Sequence, residues 1–167
     1  TREGPLLAAA DRFEIVVRGR GAHAAMPHIG VDPIPAASMI VSALQTIVSR
    51  TVDPLDAAVI SVTTINAGSA FNVIPTQARI TGTARSLKAD VRDLLEESIE
   101  RIAQQVALAH GCQAEVEYHR GYPVTTNHPD PVKRFNDLAN RELGPERVMT
   151  VEKPHMGGED FSFYGEV

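Results

Sequence analysis

Residues 57–85 read AAVISVTTINAGSAFNVIPTQARITGTAR, and the organisation of the whole chain follows from how this stretch folds. Its first part, AAVISVTTIN at 57–66, is rich in β-branched residues and ends at AGSAFN, where small and turn-forming residues interrupt regular structure. Its last part, QARITGTAR, alternates Ile80, Gly82 and Ala84 against Arg79, Thr81, Thr83 and Arg85, the period of a strand with one apolar face. Two strands joined by a short loop predict a hairpin. Everything on either side is read relative to it.

Upstream, RFEIVVR at residues 12–18 predicts a strand that stops at the glycines of GRG. Residues 19–31 carry three glycines and Pro27 and read as a loop. Asp32-Pro33 then supplies an N-cap and an N1 proline for a helix to about residue 50, with Ile34, Ala37, Val41, Leu44 and Val48 at helical spacing. Downstream, Val91, Leu94, Leu95, Ile99, Ile102, Val106 and Ala109 mark one face of a long helix, and Gly111 follows it as a left-handed C′ residue. On its other face the pairs Arg92/Glu96 and Glu97/Arg101 stand four residues apart. AEVEYH at 114–119 predicts a last strand. The resulting order, β-α-β-β-α-β over about residues 11–121, is the α+β, ferredoxin-like arrangement: a four-stranded antiparallel sheet with two helices on one face.

Beyond GYP the pattern changes. Residues 130–143 read as an amphipathic helix, 148–151 as a short strand, and GGEDFSFY as a glycine-led turn into a helix. This tail is too poor in apolar residues to build a core of its own and reads as part of an incomplete α/β domain completed elsewhere. The absence of an initiator methionine suggests a chain that starts inside a longer protein.

Composition narrows the function. The 167 residues are 43% hydrophobic and 22% charged, with a net charge of −5. These are ordinary values for a globular chain, and without a Lys/Arg cluster they argue against nucleic acid as a partner. No run approaches a membrane span, so no membrane partner is expected. One cysteine, Cys112, excludes an internal disulfide and fits a reducing, cytoplasmic setting.

Candidate chemistry is sparse. His23 lies in the glycine-bounded GRGAHAAMPH loop, where an imidazole can be held out from the fold, although the local sequence alone fits a solvated surface histidine better. His28 follows at a spacing unlike that of a helical zinc-protease pair. Asn72 in FNVIP reads locally as a turn or cap residue, and Arg85, on the polar face of its strand, is able to fork onto a carboxylate. His155, Glu159 and Asp160 have the side chains of a metal site, but three such residues within six positions recur by chance, and no metal ligand is assigned.

Together, GRGAHAAMPH, VDPI, FNVIP, GTARS and MGGEDFSFY resemble, in order and spacing, the metal-dependent aminoacylases and carboxypeptidases. The match is best to the branch of N-acyl amino acid amidohydrolases that includes hippurate hydrolase and the auxin-conjugate hydrolases. The resemblance implies a catalytic domain holding zinc or manganese, with a ferredoxin-like lid inserted into it that also forms a homodimer. Residues 1–10 would lead in from the catalytic domain, 11–121 would be the lid, and 122–167 the return. His23 would hold the oxyanion of the scissile amide, in dimeric members within the partner's site. Asn72, Arg85, Glu159 and Asp160 would contact an N-acyl amino acid, and the ligands of the divalent metal would lie outside this chain, leaving it inactive alone. The rival expectation is a non-catalytic ferredoxin-like interaction module that pairs through the strand edge at 57–66.

Overall fold

A computed structural model of the chain describes residues 1–166. In chain order its strands are β1 (Gly4–Leu7), β2 (Ala9–Arg18), β3 (Ala22–His23), β4 (Ala58–Ala67), β5 (Val73–Ile74), β6 (Gln77–Ser86), β7 (Gln113–Tyr122) and β8 (Thr125–Asn127). The helices are α1 (Pro33–Thr46), α2 (Ala89–Ala109) and α3 (Pro129–Leu143). The long strands form one antiparallel sheet in the order β4-β6-β2-β7, the order expected of the ferredoxin-like arrangement.

Alternation decides which face of this sheet is covered. Along β2, Phe13, Ile15 and Val17 are fully buried while Arg12 and Arg18 are exposed, and β6 repeats this with Ala78, Ile80 and Ala84. The buried rows pack with Ile40, Leu44 and Ile47 from α1 and its extension and with Leu95, Ile99 and Ala103 from α2 in a single core. Both helices therefore lie on one face. Gly82 stands opposite Phe13 in the ladder, and any side chain there would collide with the Phe13 ring and the Ser61 carbonyl. The glycine lets the ring lie flat against the sheet.

The helix ends follow their sequence signals. Asp32 Oδ1 accepts the Ile34 amide at 2.9 Å, with Pro33 in the first turn. The last residues of the first helical stretch, Ile47–Thr51, widen into a π-turn. After α2, Gly111 takes φ +72, and the amides of Gly111 and Cys112 donate to Leu108 and Ala107 at 2.9 Å each, a Schellman closure.

Several expectations are corrected. The 19–31 loop contains β3, and the Pro27–Ile29 segment winds into a short 3-10 turn. Residues 148–151 form no strand: their one backbone tie to the rest of the fold is the Val151 amide on the Thr1 carbonyl at 3.2 Å, and a lone bond builds no ladder. Asp160–Glu166 is 3-10 rather than α-helix. Among the described residues neither Arg92/Glu96 nor Glu97/Arg101 pairs, because Arg92 turns inward to Asp11 and Glu96 is taken by Arg120. No described helix is long and apolar enough to cross a membrane.

Candidate functional site

His23 sits on a small arm beyond one end of the main sheet. The Gly19 amide donates to the Thr76 carbonyl at 2.9 Å, and Arg20 and Val31 exchange two backbone bonds at 2.8 Å, which closes the base of the arm. Outward from there β3 pairs with β5, Ala22 opposite Ile74 and His23 opposite Val73, and the Ala24 amide donates to the Asn72 carbonyl at 2.9 Å. His23 and Asn72 thus come together on one two-stranded ribbon, both exposed. The ribbon is too short to leave a periodic sequence signal.

The His23 ring has a defined polarity. Its Nδ1 accepts the Ala25 amide at 3.1 Å, so in the neutral imidazole the proton resides on Nε2. That N–H points away from the backbone as a free donor. It is the tautomer required to hold a developing oxyanion.

Arg85 lies at the opposite end, beside the segment that carries Glu159 and Asp160. The Ala8 amide lies within reach of the His155 and Gly157 carbonyls at 3.1 and 2.8 Å, which lays the GGED segment along the start of β2. A β-carbon on Gly158 would stand 3.4 Å from Arg85 Nη1. Arg85 Nε donates to Thr83 Oγ1 at 3.1 Å, and the residue lines a cavity of about 500 Å³ together with Arg12, His119 and Tyr122. The Ser162 hydroxyl, itself buried, donates to the Glu159 carbonyl at 2.7 Å, and the Phe163 ring meets Tyr122 edge-on at 5.9 Å. No ion pair joins Arg85 to Glu159 or Asp160 among the described residues.

The two groups do not meet. β2 and β6 pair without a break from Ala9 opposite Ser86 to Arg18 opposite Gln77, and at about 3.3 Å per residue this separates the sheet ends by about 30 Å. His23 lies past one end and Arg85 at the other.

Sequence reasoning missed a third cluster. Asp11, 4% exposed, accepts Arg92 Nε at 2.9 Å, the Tyr118 hydroxyl at 2.9 Å and the Gly121 amide at 3.0 Å, and takes a further bond from Arg92 Nη2. The Gly121 amide is freed by a bulge, since the β2–β7 register slips between Ala10 and Arg12. The hydrogen bond to Asp11 raises the Arg92 pKa above its usual value, and burial, followed by the Asp11 charge, pushes the Tyr118 phenol far up. An acidic residue in the buried phase of β2, facing an arginine on α2, was the available signal.

Among the described residues no three His, Cys, Asp or Glu side chains come close enough to hold an ion.

Comparison with known proteins agrees with the fold. Residues 9–111 match the family model described as "Peptidase dimerisation domain". The chain is 41% identical over 165 residues to an N-acetylcysteine deacetylase of Bacillus subtilis, covering 99% of this chain and 43% of the relative. It is 38% identical over 166 residues to hippurate hydrolase of Campylobacter jejuni, with 99% and 43% covered. A solved Bacillus subtilis structure, a dinuclear metal-binding peptidase of the M20 family, superposes with a TM-score of 0.77 at 35% identity, covering 99% of this chain and 40% of that one. The chain therefore spans about two fifths of the length of the relatives it matches. With the sheet order, the helix placement and the match over residues 9–111 in agreement, this chain belongs to the peptidase dimerisation domain family.

Proposed function

We propose that this chain is the lid and dimerisation part of a metal-dependent amidohydrolase that cleaves the amide bond of N-acyl amino acids of the hippurate type, and that it works in a cytoplasmic homodimer. The observation that carries the reading is the His23 imidazole at the tip of the arm, fixed as the Nε2–H tautomer by the Ala25 amide and exposed beyond the fold. Relatives named as a hippurate hydrolase and an N-acetylcysteine deacetylase support the substrate class. The lone, buried Cys112 suits a reducing compartment.

Among the described residues no group of three donors is close enough to hold an ion, and in this reading the zinc or manganese would be held by residues outside the chain. The chain's own residues act on the substrate. His23 Nε2–H donates to the carbonyl oxygen as negative charge builds there. A donor already oriented before the reaction loses nothing to reorganisation as the charge forms. Asn72, joined to the His23 ribbon through its own backbone, adds an amide to the same contact. In this reading Arg85 offers its terminal nitrogens to the substrate carboxylate, and Glu159 and Asp160, next in sequence to Gly158, which packs beside Arg85, are further substrate contacts.

The separation of about 30 Å between the sheet ends far exceeds the span of one N-acyl amino acid. His23 and Arg85 of one copy cannot touch one substrate, so the site is shared: the arm of one copy serves the partner's site. β4 lies at the sheet edge with its outer half exposed, and beside it Ser38 and Val41 of α1 flank Val62–Ile65, a surface suited to pairing with a second copy.

In the full-length protein, His23→Ala is expected to lower the turnover of N-benzoylglycine by about 10²–10³ with folding unchanged. Mixing subunits carrying His23→Ala with subunits carrying Arg85→Ala should restore activity, since a hybrid dimer contains one site with both residues intact. Wild-type activity in His23→Ala would remove the oxyanion role. Hybrids as inactive as their parents would remove the sharing of sites.

A further inference from the structure

The arm carries more apolar surface than a ribbon of its size retains in water. Phe71 is 100% exposed, and Val73, Met26 and Ile29 are 50%, 45% and 51% exposed. Ile74, at 8%, is the arm's buried anchor. Neighbouring residues of a strand point to opposite sides, so Val73 faces away from the buried Ile74 side. His23 stands directly opposite Val73, and residues opposed in a ladder share a face with β-carbons about 5 Å apart. The imidazole and the Val73 side chain therefore occupy one face, with Phe71 two residues further out at the tip.

We propose that Phe71, with Val73 beside it, is the arm's specificity-determining surface, an apolar wall that receives the acyl group of the substrate. The inference rests on the oxyanion role of His23 given above. A hydrogen bond from Nε2 of about 3 Å sets the scissile carbon about 4 Å from the ring. That carbon has two substituents, the acyl group and the amide nitrogen of the amino acid. The amino acid side ends in a carboxylate, which gains nothing against Phe and Val and needs a cation. The arm's one arginine, Arg20, lies at its base with Nε on the Ile29 carbonyl at 3.1 Å, away from the tip. The acyl group is the apolar half, and the apolar wall fits it. An aromatic or long aliphatic acyl chain reaches Phe71, whereas an acetyl group ends short of it.

The test uses the full-length enzyme with N-benzoylglycine and N-acetylglycine as probes. Phe71 is fully exposed, so substitution there is expected to leave folding unchanged, which the Tm of each variant checks. Phe71→Ala should lower kcat/KM for the benzoyl substrate by about tenfold or more, chiefly through KM, and change the acetyl substrate by less than about threefold. Phe71→Tyr, which keeps the ring, should retain the wild-type preference. An equal loss on both substrates would make Phe71 a contact with the partner protein's wall and overturn the inference, as would no loss on either. His23→Ala, run in parallel, separates the layers. If His23→Ala is inactive while Phe71→Ala leaves the benzoyl-to-acetyl ratio unchanged, this inference alone fails. If His23→Ala is as active as wild type, or if the wild-type enzyme is inert toward both probes, the reading beneath it fails as well.

Discussion

Asp11 is a carboxylate taken out of water and repaid by four hydrogen bonds from a guanidinium, a phenol and a backbone amide. Such a charge adds little over an apolar core while its partners stand, but removing one partner leaves the others uncompensated. Asp11→Ala should therefore cost about 3–5 kcal/mol, read as a lowered Tm or denaturant midpoint, because Arg92 would remain largely enclosed. Tyr118 supplies the pH dependence. Its folded pKa lies above the ordinary phenol value of about 10, so the stability it contributes is complete below that pH and is lost as pH rises beyond it. Stability measured from pH 8 to 12 should fall more steeply in the wild type than in Tyr118→Phe, the range being set by the ordinary phenol pKa of about 10. The cluster was hard to read in the sequence because the partners of Asp11 all lie more than eighty positions from it and have nearer, plausible explanations. Arg92, for example, has Glu96 one helical turn away. Helix spacing locates a charge on a face but does not say whether that face meets solvent or a strand.

At the scale of elements, the long repeats were legible and the short ones were not. α1, α2 and the β4/β6 hairpin each offer enough turns or alternations for their period to stand out, and the N-cap at Asp32 and the C′ glycine at Gly111 mark their ends chemically. The β3/β5 ribbon has two residues a side, so its pairing depends on closure at Arg20–Val31 and Gly19–Thr76 rather than on any pattern. Residues 148–151 have β-branched side chains but no strand to receive their amides. For the site, His23 and Asn72 came from a motif and not from periodicity, and the distance between His23 and Arg85 is a property of the sheet that no motif contains. The edge of β4 permits a direct test. Ile65, half-exposed, lines the groove beside α1, and Ile65→Lys should change monomer stability by no more than about 0.5 kcal/mol. In sedimentation velocity it should shift the protein from dimer to monomer. A dimer that persists would place the contact elsewhere.

Across the whole molecule, apolar burial is uneven. The main core draws on four strands and two helices, whereas α3 buries one side chain, Val132, and leaves Phe135, Leu138 and Leu143 half-exposed. Its charged groups are locally paired, as in Lys133 with Asp137 four residues on, and such pairs add only a few tenths of a kcal/mol, about 0.3–0.5. Amide hydrogen exchange should therefore be fast in α3 and slow in α2 for this chain alone, and α3 should gain protection in the full-length protein if its apolar side is covered there. Equal protection of α2 and α3 in the isolated chain would contradict this account. The β1–β8 pairing has a wider implication. Gly4 opposite Asn127 and Leu7 opposite Thr125 bring the two ends of the segment between them to within about 5 Å, the spacing of neighbouring strands. In a full-length protein of the kind proposed, a unit that departs and returns through one narrow doorway would impose almost no geometry on its host. It could then be deleted, lengthened or exchanged like a cassette, with a short linker between residues 7 and 125 bridging the gap it leaves.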